Sequence, residues 1–402
     1  MMLQNKTVVL GVSGSIAAYK AAGLASMLVK AGADVRVIMT KNAVNIINPI
    51  TFESLTGHKC MVDTFDRNFE FKVNHISLAK KASVFVIAPA SANVIAKISS
   101  GIADDMLTTT FLAASCPKII CPAMNSAMFE NQITQDNIEK CRSYGMTIVS
   151  PVCGYLAEGM TGIGKMPEPK AIFDYIIQEI GAEKDLSGKR VLVTAGPTQE
   201  SLDPVRFITN HSSGKMGYAI ARAASMRGAE TVLISGPVSL EPPPFVQTVG
   251  VTSARQMFTA VRERFSEYDI IIKAAAVADY RPLSSSSEKI KKSSGTLSID
   301  CERTDDILQF LGQNKKSGQF ICGFSMETEN VIENSRSKLQ KKNADMIVAN
   351  SLKEEGAGFS SDTNRVTLIT RNSTLALQKM SKADVADRLL DEIIRIMHSE
   401  KN

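Results

Sequence analysis

The 402-residue sequence contains no tryptophan, and aromatic residues make up only 6% of it. No apolar stretch approaches the roughly 20 residues that a membrane-spanning helix requires. The apolar run near the N-terminus is short and leads directly into a glycine-containing loop, so we expect no signal peptide. The seven cysteines are odd in number and include no Cys-x-x-Cys pair, which favours reduced, buried thiols in a cytoplasmic protein.

Charge gives little indication of a macromolecular partner. The formal net charge is +5, and the basic residues are dispersed apart from one dense run at 289–292. Nucleic-acid-binding domains usually present a broad basic face. We therefore predict neither a nucleic-acid partner nor a membrane partner.

One pattern occurs twice: an apolar β-branched run, a Gly/Ser-rich loop, and then a helix pattern rich in small residues. The first copy spans 7–20 and the second spans 190–217. Such a loop allows backbone N–H groups and a helix N-terminus to approach a phosphate. Two copies in a chain of this length predict two domains with two phosphorylated ligands, and hence a bifunctional enzyme.

The apolar runs are continuous rather than alternating, which indicates α/β domains whose mostly parallel sheets are covered on both faces. In the first half, the predicted strands are 8–11, 34–39, 84–88, 118–122 and 146–149, and the predicted helices are 15–30, one ending at 98, and 168–180. In the second half, the predicted strands are 191–194, 230–234, 270–273, 320–322 and 346–348, the predicted helices are 214–227, 254–265, 329–342 and 382–397, and 365–377 is a predicted hairpin. The polar segment 181–189 marks the domain boundary, and the Ser/Lys-rich segment 282–295 is expected to be a mobile loop that closes over a substrate.

Small polar residues cluster at the predicted strand ends of the first half. Ser13 and its neighbours Gly14 and Ser15 lie at a helix N-terminus, where they could hold a phosphate. The segment 91–93 and Asn125 follow two other strands, at the sheet edge where ligands lie in open α/β folds. Taken alone, the asparagine could simply cap a helix, and His75 could be a structural histidine.

Together these segments resemble the homo-oligomeric flavin-containing cysteine decarboxylases, and within them the phosphopantothenoylcysteine decarboxylases, over about residues 6–180. The Pro-x-Met-Asn-x-x-Met motif of that family matches 122–128. The resemblance implies bound FMN and, as cofactor-binding residues, Gly11, Ser13, Gly14, Ser15, Thr40, Ser91, Ala92 and Asn93. It also implies that His75 helps to deprotonate the substrate thiol and that Asn125 positions the carboxylate to be lost.

The family's substrate flap matches 151–166 with one departure, because Glu158 stands where the family has a proton-donating cysteine. We predict that Glu158 donates the proton, since burial can raise the pKa of a carboxyl towards neutrality. Two alternatives stay open: Cys153, five residues earlier, takes this role, or the reductive half of the reaction is impaired. Glu158 could also be a solvated flap residue without a role.

In the second half, a strand ends at 194–197 and a polar loop at 210–217 opens a helix. The loop lacks the Walker A spacing and a true Gly-x-Gly-x-x-Gly motif, which argues against dinucleotide redox chemistry. Asp279 is a candidate Mg²⁺ partner beside a triphosphate. Lys289 could stabilise charge developing on a phosphoryl group, although its basic run could also be a solvated loop.

This half resembles the bacterial, CTP-using phosphopantothenate–cysteine ligases over about 186–397, chiefly through 203–217, 274–282, 288–292 and 323–329. The resemblance implies that Asn210 contacts the substrate acyl group or its cytidylate and that Lys289 serves the first half-reaction. The implied nucleotide-binding residues are Lys273, Ala274, Ala275, Asp279, Lys289, Asp305, Asp306, Ile307, Leu308, Phe324, Lys338 and Lys342. Two departures are Lys273, where the family has a small or apolar residue, and 304–306, which replaces Asn-Pro-Asp.

The product of such a ligase is the substrate of such a decarboxylase. The two resemblances therefore predict a bifunctional enzyme of coenzyme A biosynthesis with two Rossmann-like domains, a flavodoxin-like FMN-dependent decarboxylase at 1–182 and a CTP-dependent ligase at 187–402. Its expected partners are 4′-phosphopantothenate, L-cysteine, CTP and Mg²⁺, and it is expected to be a homo-oligomer with trimeric flavin domains and dimeric ligase domains.

The sequence leaves two other functional hypotheses open. In the first, the ligase works, but the flavin domain has lost decarboxylation and serves as a scaffold or regulatory module, because Glu158 replaces the cysteine. In the second, an FMN prenyltransferase or reductase is fused to a Rossmann domain. The second hypothesis leaves the segments 288–292 and 323–329 unexplained.

Overall fold

The structure is a computed structural model that describes residues 3–64, 74–155, 159–291, 297–327, 330–351 and 361–399. The chain folds as two compact units, Met1–Glu183 and Lys184–Asn402. Among the described residues, no helix combines the length and the apolarity needed to cross a membrane.

The first unit is built around a parallel sheet of five strands in the order β2-β1-β3-β4-β5. Its strands are β1 (Thr7–Val12), β2 (Asp34–Met39), β3 (Val84–Ala90), β4 (Lys118–Pro122), β5 (Thr147–Ile148), β6 (Val152–Tyr155) and β7 (Thr161–Lys165). Its helices are α1 (Ala18–Lys30), α2 (Lys41–Val44), α3 (Pro49–Thr56), α4 (Asn74–Lys81), α5 (Ala92–Ser100), α6 (Met106–Ala113), α7 (Ser126–Glu130), α8 (Gln132–Ser143) and α9 (Pro169–Ile180). Strands β6 and β7 form a separate antiparallel hairpin.

Strand β3 is covered by other elements on both of its faces. All seven of its residues are buried, as expected for a strand covered on both faces. Phe85 packs edge-to-face on Phe111 of α6, with ring centroids 5.2 Å apart. The next helix, α5, begins where the Ser91 hydroxyl accepts the backbone N–H of Val94. The strands predicted from continuous Val/Ile runs are confirmed in this unit.

The second unit contains a larger sheet of eight strands in the order β12-β11-β8-β13-β16-β17-β19-β20. Its strands are β8 (Arg190–Ala195), β9 (Gln199–Ser201), β10 (Phe207–Thr209), β11 (Glu230–Ser235), β12 (Gln247–Gly250), β13 (Ile270–Lys273), β14 (Tyr280–Pro282), β15 (Cys301–Arg303), β16 (Phe320–Glu327), β17 (Met346–Ser351), β18 (Thr363–Asn364), β19 (Val366–Thr370), β20 (Thr374–Ala376) and β21 (Met380–Ser381). Its helices are α10 (Lys215–Met226), α11 (Ala254–Arg264), α12 (Ile307–Gln313), α13 (Val331–Lys341) and α14 (Lys382–Ser399). The six strands from β12 to β17 are parallel, and β19 and β20 form the predicted hairpin.

Helix α10 packs closely against β8 at Gly217. A Cβ atom at this position would lie 2.5 Å from the Cβ of Ala195 and 3.0 Å from the carbonyl oxygen of Thr194. A residue with a side chain would therefore push the helix away from the sheet.

In both sheets the direction of strand progression reverses. The reversal lies between β1 and β3 in the first sheet and between β8 and β13 in the second. Ligands of open α/β sheets bind in the crevice that such a reversal opens at the carboxyl ends of the strands. The α/β fold class predicted from the sequence is confirmed, and the two reversals indicate where each unit can bind a ligand.

Two candidate sites at the carboxyl ends of the sheets

A cavity of about 1040 Å³ opens at the reversal of the first sheet. This volume lies at the upper end of the roughly 300–1,000 Å³ typical of small-molecule sites. Seven of the predicted residues line it: Gly14, Ser15, Thr40, Ser91, Ala92, Asn93 and Asn125. The hairpin β6–β7 and the residue after it add Tyr155, Gly164, Lys165 and Met166.

The loop after β1 lies tightly against the start of α2. A Cβ atom at Gly14 would be 2.6 Å from the Cβ of Asn42, so only glycine allows this approach. Thr40 caps α2, because its hydroxyl accepts the backbone N–H of Ala43 at 3.2 Å. Gly14, Thr40 and Asn42 all line the cavity.

Two residues predicted to bind the cofactor lie elsewhere. Ser13 is fully buried, and its hydroxyl donates to the carbonyl of Pro89 at 2.8 Å and accepts the N–H of Ser91 at 2.8 Å. Gly11 lies within β1, where a Cβ atom would be 2.9 Å from Leu107 Cδ1. Neither residue lines the cavity, because Ser13 joins the ends of β1 and β3 and Gly11 makes room for α6.

Asn125 combines a helix cap with a place on the cavity wall. Its side-chain oxygen accepts the N–H groups of Ala127 and Met128 at the start of α7, which fixes the orientation of the amide. Ser126 Oγ donates to the carbonyl of Ile163 at 2.7 Å. The segment that carries Asn125 is thereby hydrogen-bonded to β7 of the flap hairpin.

Lys20 is a site residue that the sequence reasoning missed. Its side chain is only 8% exposed, and Nζ donates to the carbonyl of Met166 at 3.3 Å and to Glu168 Oε1 at 2.7 Å. The hydrogen bond from Lys20 lowers the pKa of the Glu168 carboxyl. Lys20 thus ties α1 to the end of the flap, and no local pattern points to a partner 146 positions away.

The remaining predicted residues of this site are dispersed. His75 lies near the start of α4, partly buried, and does not line the cavity. Cys153 is an exposed residue of β6 that does not line it either. Glu158 lies outside the described residues, so its role stays a prediction.

In the second unit, backbone and hydroxyl groups link the ends of β8 and β13. The buried Thr194 accepts the N–H of Ala274 at its carbonyl oxygen and the N–H of Ala275 at its hydroxyl, both at 3.2 Å. Asn210, which is exposed, donates its side-chain amide to the carbonyl of Val277 at 3.0 Å. These bonds place Asn210 and 274–277 along one edge of the sheet.

A group of charged side chains lies beyond this edge. Lys342 Nζ forms an ion pair with Asp306 at 2.8 Å, and Lys338 Nζ donates to the carbonyl of Phe324 at 3.2 Å. Burial, together with the nearby charge of Lys338, lowers the pKa of Lys273 to about 8, although Asp306 and Asp279 act in the opposite direction. The structure therefore brings together Lys273 and four other residues of the predicted nucleotide set.

Other members of that set have different positions. The side chains of Ile307 and Leu308 belong to the hydrophobic core, so only their backbone can face a nucleotide. Asp279 and Asp305 are exposed. No group of three His, Cys, Asp or Glu side chains that could hold a metal ion occurs among the described residues. A nucleotide-bound Mg²⁺ needs only one or two protein carboxylates, because the phosphates supply further oxygens.

Lys289 is exposed and lies in the segment that follows β14. Within the described part of the chain, no hydrogen bond or ion pair joins Lys289 to the charged group around Lys273. Its neighbour Ile290 instead bonds to Asp203 and Arg206, which received no role from the sequence. The predicted mobile segment 282–295 lies partly outside the described residues.

Comparison with known proteins covers both units. Residues 1–181 match the family model described as flavoprotein, and residues 186–397 match the model described as DNA/pantothenate metabolism flavoprotein C-terminal domain. The coenzyme A biosynthesis bifunctional protein CoaBC of Bacillus subtilis (strain 168) is 46% identical over 396 residues, which are 98% of this chain and 97% of that protein.

Two further relatives match a smaller share of the chain. A cysteine/cysteine sulfinic acid decarboxylase from an unknown prokaryotic organism is 43% identical over 359 residues, which are 88% of this chain and all of that protein. A crystal structure of the C-terminal domain of a CoaBC protein covers 54% of this chain and all of that domain, with 44% identity and a TM-score of 0.47. The two resemblances inferred from motifs are confirmed by the full-length match, and the chain belongs to the family of bifunctional coenzyme A biosynthesis proteins CoaBC.

Proposed function

We propose that this chain catalyses two consecutive steps of coenzyme A synthesis. The second unit joins 4′-phosphopantothenate to L-cysteine at the expense of CTP, and the first unit decarboxylates the product to 4′-phosphopantetheine. One observation carries the proposal: a chain similar to CoaBC proteins over its whole length has a candidate site at the strand reversal of each sheet.

The cavity of the first unit would hold FMN. Its volume and the close approach of Gly14 to Asn42 suit a phosphate-bearing ligand seated on backbone N–H groups. Ser15 and the residues 91–93 would contact the cofactor, while Ser13 would fix the strand ends beneath it. FMN supplies the redox chemistry that makes the substrate carboxylate easy to lose.

Asn125 would bind that carboxylate, with its amide orientation fixed by the cap of α7. His75 lies outside the cavity wall of its own chain. We therefore assign His75 to a site shared between subunits, as in a homo-oligomer with trimeric flavin domains.

Glu158 would supply the proton of the reductive half-reaction.

The ligase chemistry follows from the need to activate a carboxylate. The carboxylate oxygen of 4′-phosphopantothenate attacks the α-phosphorus of CTP, which forms an acyl cytidylate and releases pyrophosphate. The cysteine amine then attacks the acyl carbon, forms the amide and releases CMP. Lys273, Lys338 and Lys342 would offset the charge of the nucleotide phosphates. Mg²⁺, held in part by Asp279, would do the same.

In this scheme Lys289 assists formation of the cytidylate, and Asn210 contacts its acyl group. The dimeric pairing of ligase domains belongs to the same proposal.

A cytoplasmic location is supported by the seven cysteines, all of which are free thiols.

The decisive experiment supplies the purified, FMN-loaded protein with CTP, cysteine and 4′-phosphopantothenate and measures both pyrophosphate and CO₂. The proposal expects equal amounts of the two. Pyrophosphate without CO₂ would favour the scaffold hypothesis, and neither product would contradict the whole assignment. Parallel reactions with free cysteine or cysteine sulfinate test the activity named for the relative from an unknown prokaryote.

Replacement of the flap carboxyl tests its role separately. Without oxygen, Glu158→Gln should release about one CO₂ per bound FMN and then stop, because oxidation and decarboxylation precede the protonation step and the flavin stays reduced when the saturated product is not formed. Mass spectrometry would then detect the unsaturated enethiol. A Glu158→Gln variant that still forms the saturated product at the wild-type rate would exclude this donor and direct attention to Cys153.

A further inference from the structure

We propose that Asp203 and Arg206 are positioning residues for the ligase reaction, which hold Lys289 in place by binding the backbone of the next residue, Ile290. The inference rests on the proposed ligase function, because that function gives Lys289 its task. Both residues belong to the segment 203–217 that resembles the ligases.

Both backbone polar groups of Ile290 are bound by the same pair of side chains. The N–H of Ile290 donates to Asp203 Oδ2 at 3.1 Å, and the guanidinium of Arg206 donates to the carbonyl oxygen of Ile290. Arg206 Nε also pairs with Asp203 Oδ2 at 3.0 Å. The peptide groups on both sides of Ile290, one of which it shares with Lys289, are thereby fixed.

The two oxygens of Asp203 have separate tasks. Oδ1 accepts the N–H groups of Val205 and Arg206 at 2.8 Å each and so closes the turn, while Oδ2 serves Ile290 and the guanidinium. The side chain is completely buried. Burial alone would raise the pKa of this carboxyl, but the three N–H groups and the Arg206 charge outweigh it and hold the pKa below its usual value. Asp203 is therefore an anion at neutral pH.

A second bond attaches the lysine-bearing segment on the other side of Lys289. The N–H of Ser286 donates to the carbonyl of Leu202 at 2.9 Å. Because the segment is anchored before and after Lys289, its backbone is restrained while the exposed side chain can still reach a ligand. Such restraint reduces the conformational entropy lost when the lysine meets the triphosphate.

The same short turn also leads to the other proposed ligase residue. Arg206 is followed directly by β10, which ends one residue before Asn210, and Asn210 bonds to Val277 at the sheet edge. One turn therefore sets the positions of both Asn210 and Lys289.

Asp203→Asn isolates the link to Ile290. The asparagine oxygen can still accept the N–H groups of Val205 and Arg206, so the turn is retained. However, an NH₂ group replaces Oδ2 and faces the N–H groups of Ile290 and Arg206. Because an NH₂ group is a donor, it cannot accept a hydrogen bond from either of them. The matched control is Asp300→Asn, because Asp300 is also an acid, is exposed, and contributes only its backbone carbonyl to the base of the segment, at 2.9 Å from the N–H of Leu283.

Two measurements on the full-length protein test the proposal. Single-turnover pyrophosphate release from CTP and 4′-phosphopantothenate, without cysteine, should slow about 10–100-fold in Asp203→Asn, with the CTP dissociation constant changed less than about threefold. Trypsin should cut folded Asp203→Asn after Lys289 and Lys291 about tenfold faster than folded wild type. Cleavage requires the segment to detach from Asp203 and Arg206, and the substitution weakens that attachment. Asp300→Asn should behave as wild type in both.

Several outcomes would overturn the proposal: wild-type pyrophosphate release in Asp203→Asn, unchanged trypsin cleavage, or an equal loss in Asp300→Asn. If Asp203→Asn fails to fold, Arg206→Lys serves instead. It keeps the charge, but its single ammonium group cannot reproduce the planar fork that reaches both Asp203 and Ile290. If the wild type releases no pyrophosphate, the ligase function fails, and the trypsin assay still decides whether the pair restrains this segment.

Discussion

The hydroxyl of Ser13 accepts a hydrogen bond from the backbone N–H of Ser91 at 2.8 Å, across the reversal of the first sheet. The same hydroxyl donates to the carbonyl of Pro89, so both of its bonds lie inside the protein. Ser15, two residues further on, lines the cavity instead. Two serines of one loop therefore have different positions, one in the scaffold and one on the cavity wall.

This difference predicts opposite phenotypes for two alanine variants. Ser13→Ala should lower the free energy of unfolding by about 1–3 kcal/mol, because the partly buried N–H of Ser91 loses its acceptor. Ser15 is only partly buried, and its hydroxyl accepts a long hydrogen bond of 3.4 Å from the N–H of Ala17. Ser15→Ala should therefore change stability by no more than about 0.5 kcal/mol and should weaken FMN binding. Urea denaturation of the apoprotein and fluorescence titration with FMN measure the two effects. Equal stability of both variants would contradict this division of tasks.

We predict that Lys20 holds the end of the flap, at Met166 and Glu168, in position. Lys20→Met keeps the bulk of the side chain but leaves the carbonyl of Met166 and the carboxylate of Glu168 without their donor. We expect CO₂ release to fall about tenfold, since small displacements of substrate-positioning elements have effects of this order, while FMN affinity is retained. Lys30→Met, an exposed lysine of the same helix, is the control. Weaker FMN binding with unchanged turnover would assign Lys20 to the cofactor instead of the flap.

Gly217 is predicted to be necessary for packing in the second unit. Alanine usually stabilises a helix by about 1 kcal/mol relative to glycine. In Gly217→Ala, however, overpacking against Ala195 should reverse the sign and destabilise by about 1–3 kcal/mol. Gly250→Ala is the control, since no atom lies within 4 Å of its Cβ position. Thermal unfolding of both variants distinguishes the outcomes, and a stabilised Gly217→Ala would show that the helix can shift without cost.

The nucleotide site should respond to pH near 8. Burial and the charge of Lys338 depress the pKa of Lys273 to about 8, so the neutral amine is favoured in the folded protein above that pH. Nucleotide phosphates favour the charged form, and CTP binding at pH 8 should therefore take up protons and weaken as the pH rises further. Calorimetry in two buffers of different ionisation enthalpy measures the uptake. Lys273→Met should abolish it, and an unchanged uptake would assign the protons to another group.

The same depressed pKa affects folding with a definite sign. An unfolded lysine keeps its proton up to about pH 10.4. Between pH 8 and that value the unfolded chain binds more protons than the folded one, so Lys273 contributes rising stability with rising pH in this interval. Below pH 8 the cost of the buried charge is fully present.

The sheets could be predicted from the sequence because their signal is local. The strands at 34–39, 118–122 and 270–273 are predicted with their observed bounds, since β-branched and apolar residues dominate each of them. The β6–β7 hairpin was not predicted as strands, because its glycine-rich sequence shows no alternation. The short helix α4 also escaped prediction, since its sequence offers only two turns.

The sites were predicted only in part, and the errors have a physical cause. The pattern around 11–15 indicates a phosphate loop, but it cannot show that Gly11 lies within the buried strand or that Ser13, directly after the strand, is buried as well. Lys20, Asp203 and Arg206 act through backbone groups that are distant in sequence. A backbone carbonyl or N–H leaves no trace in residue identity, so such partnerships become visible only in the fold.

The attachment of the flap has a practical consequence for exchanging parts between relatives. Gly164, with a φ of +133°, offers its carbonyl to the N–H of Met124 at 3.1 Å, and the neighbouring Ile163 binds Ser126. A Cβ atom at Gly164 would collide with the carbonyl oxygen of Met124. A chimera in which only 151–166 comes from a relative is therefore expected to shift Asn125. An exchange that keeps Asn125 in place should replace 122–126 together with 151–166.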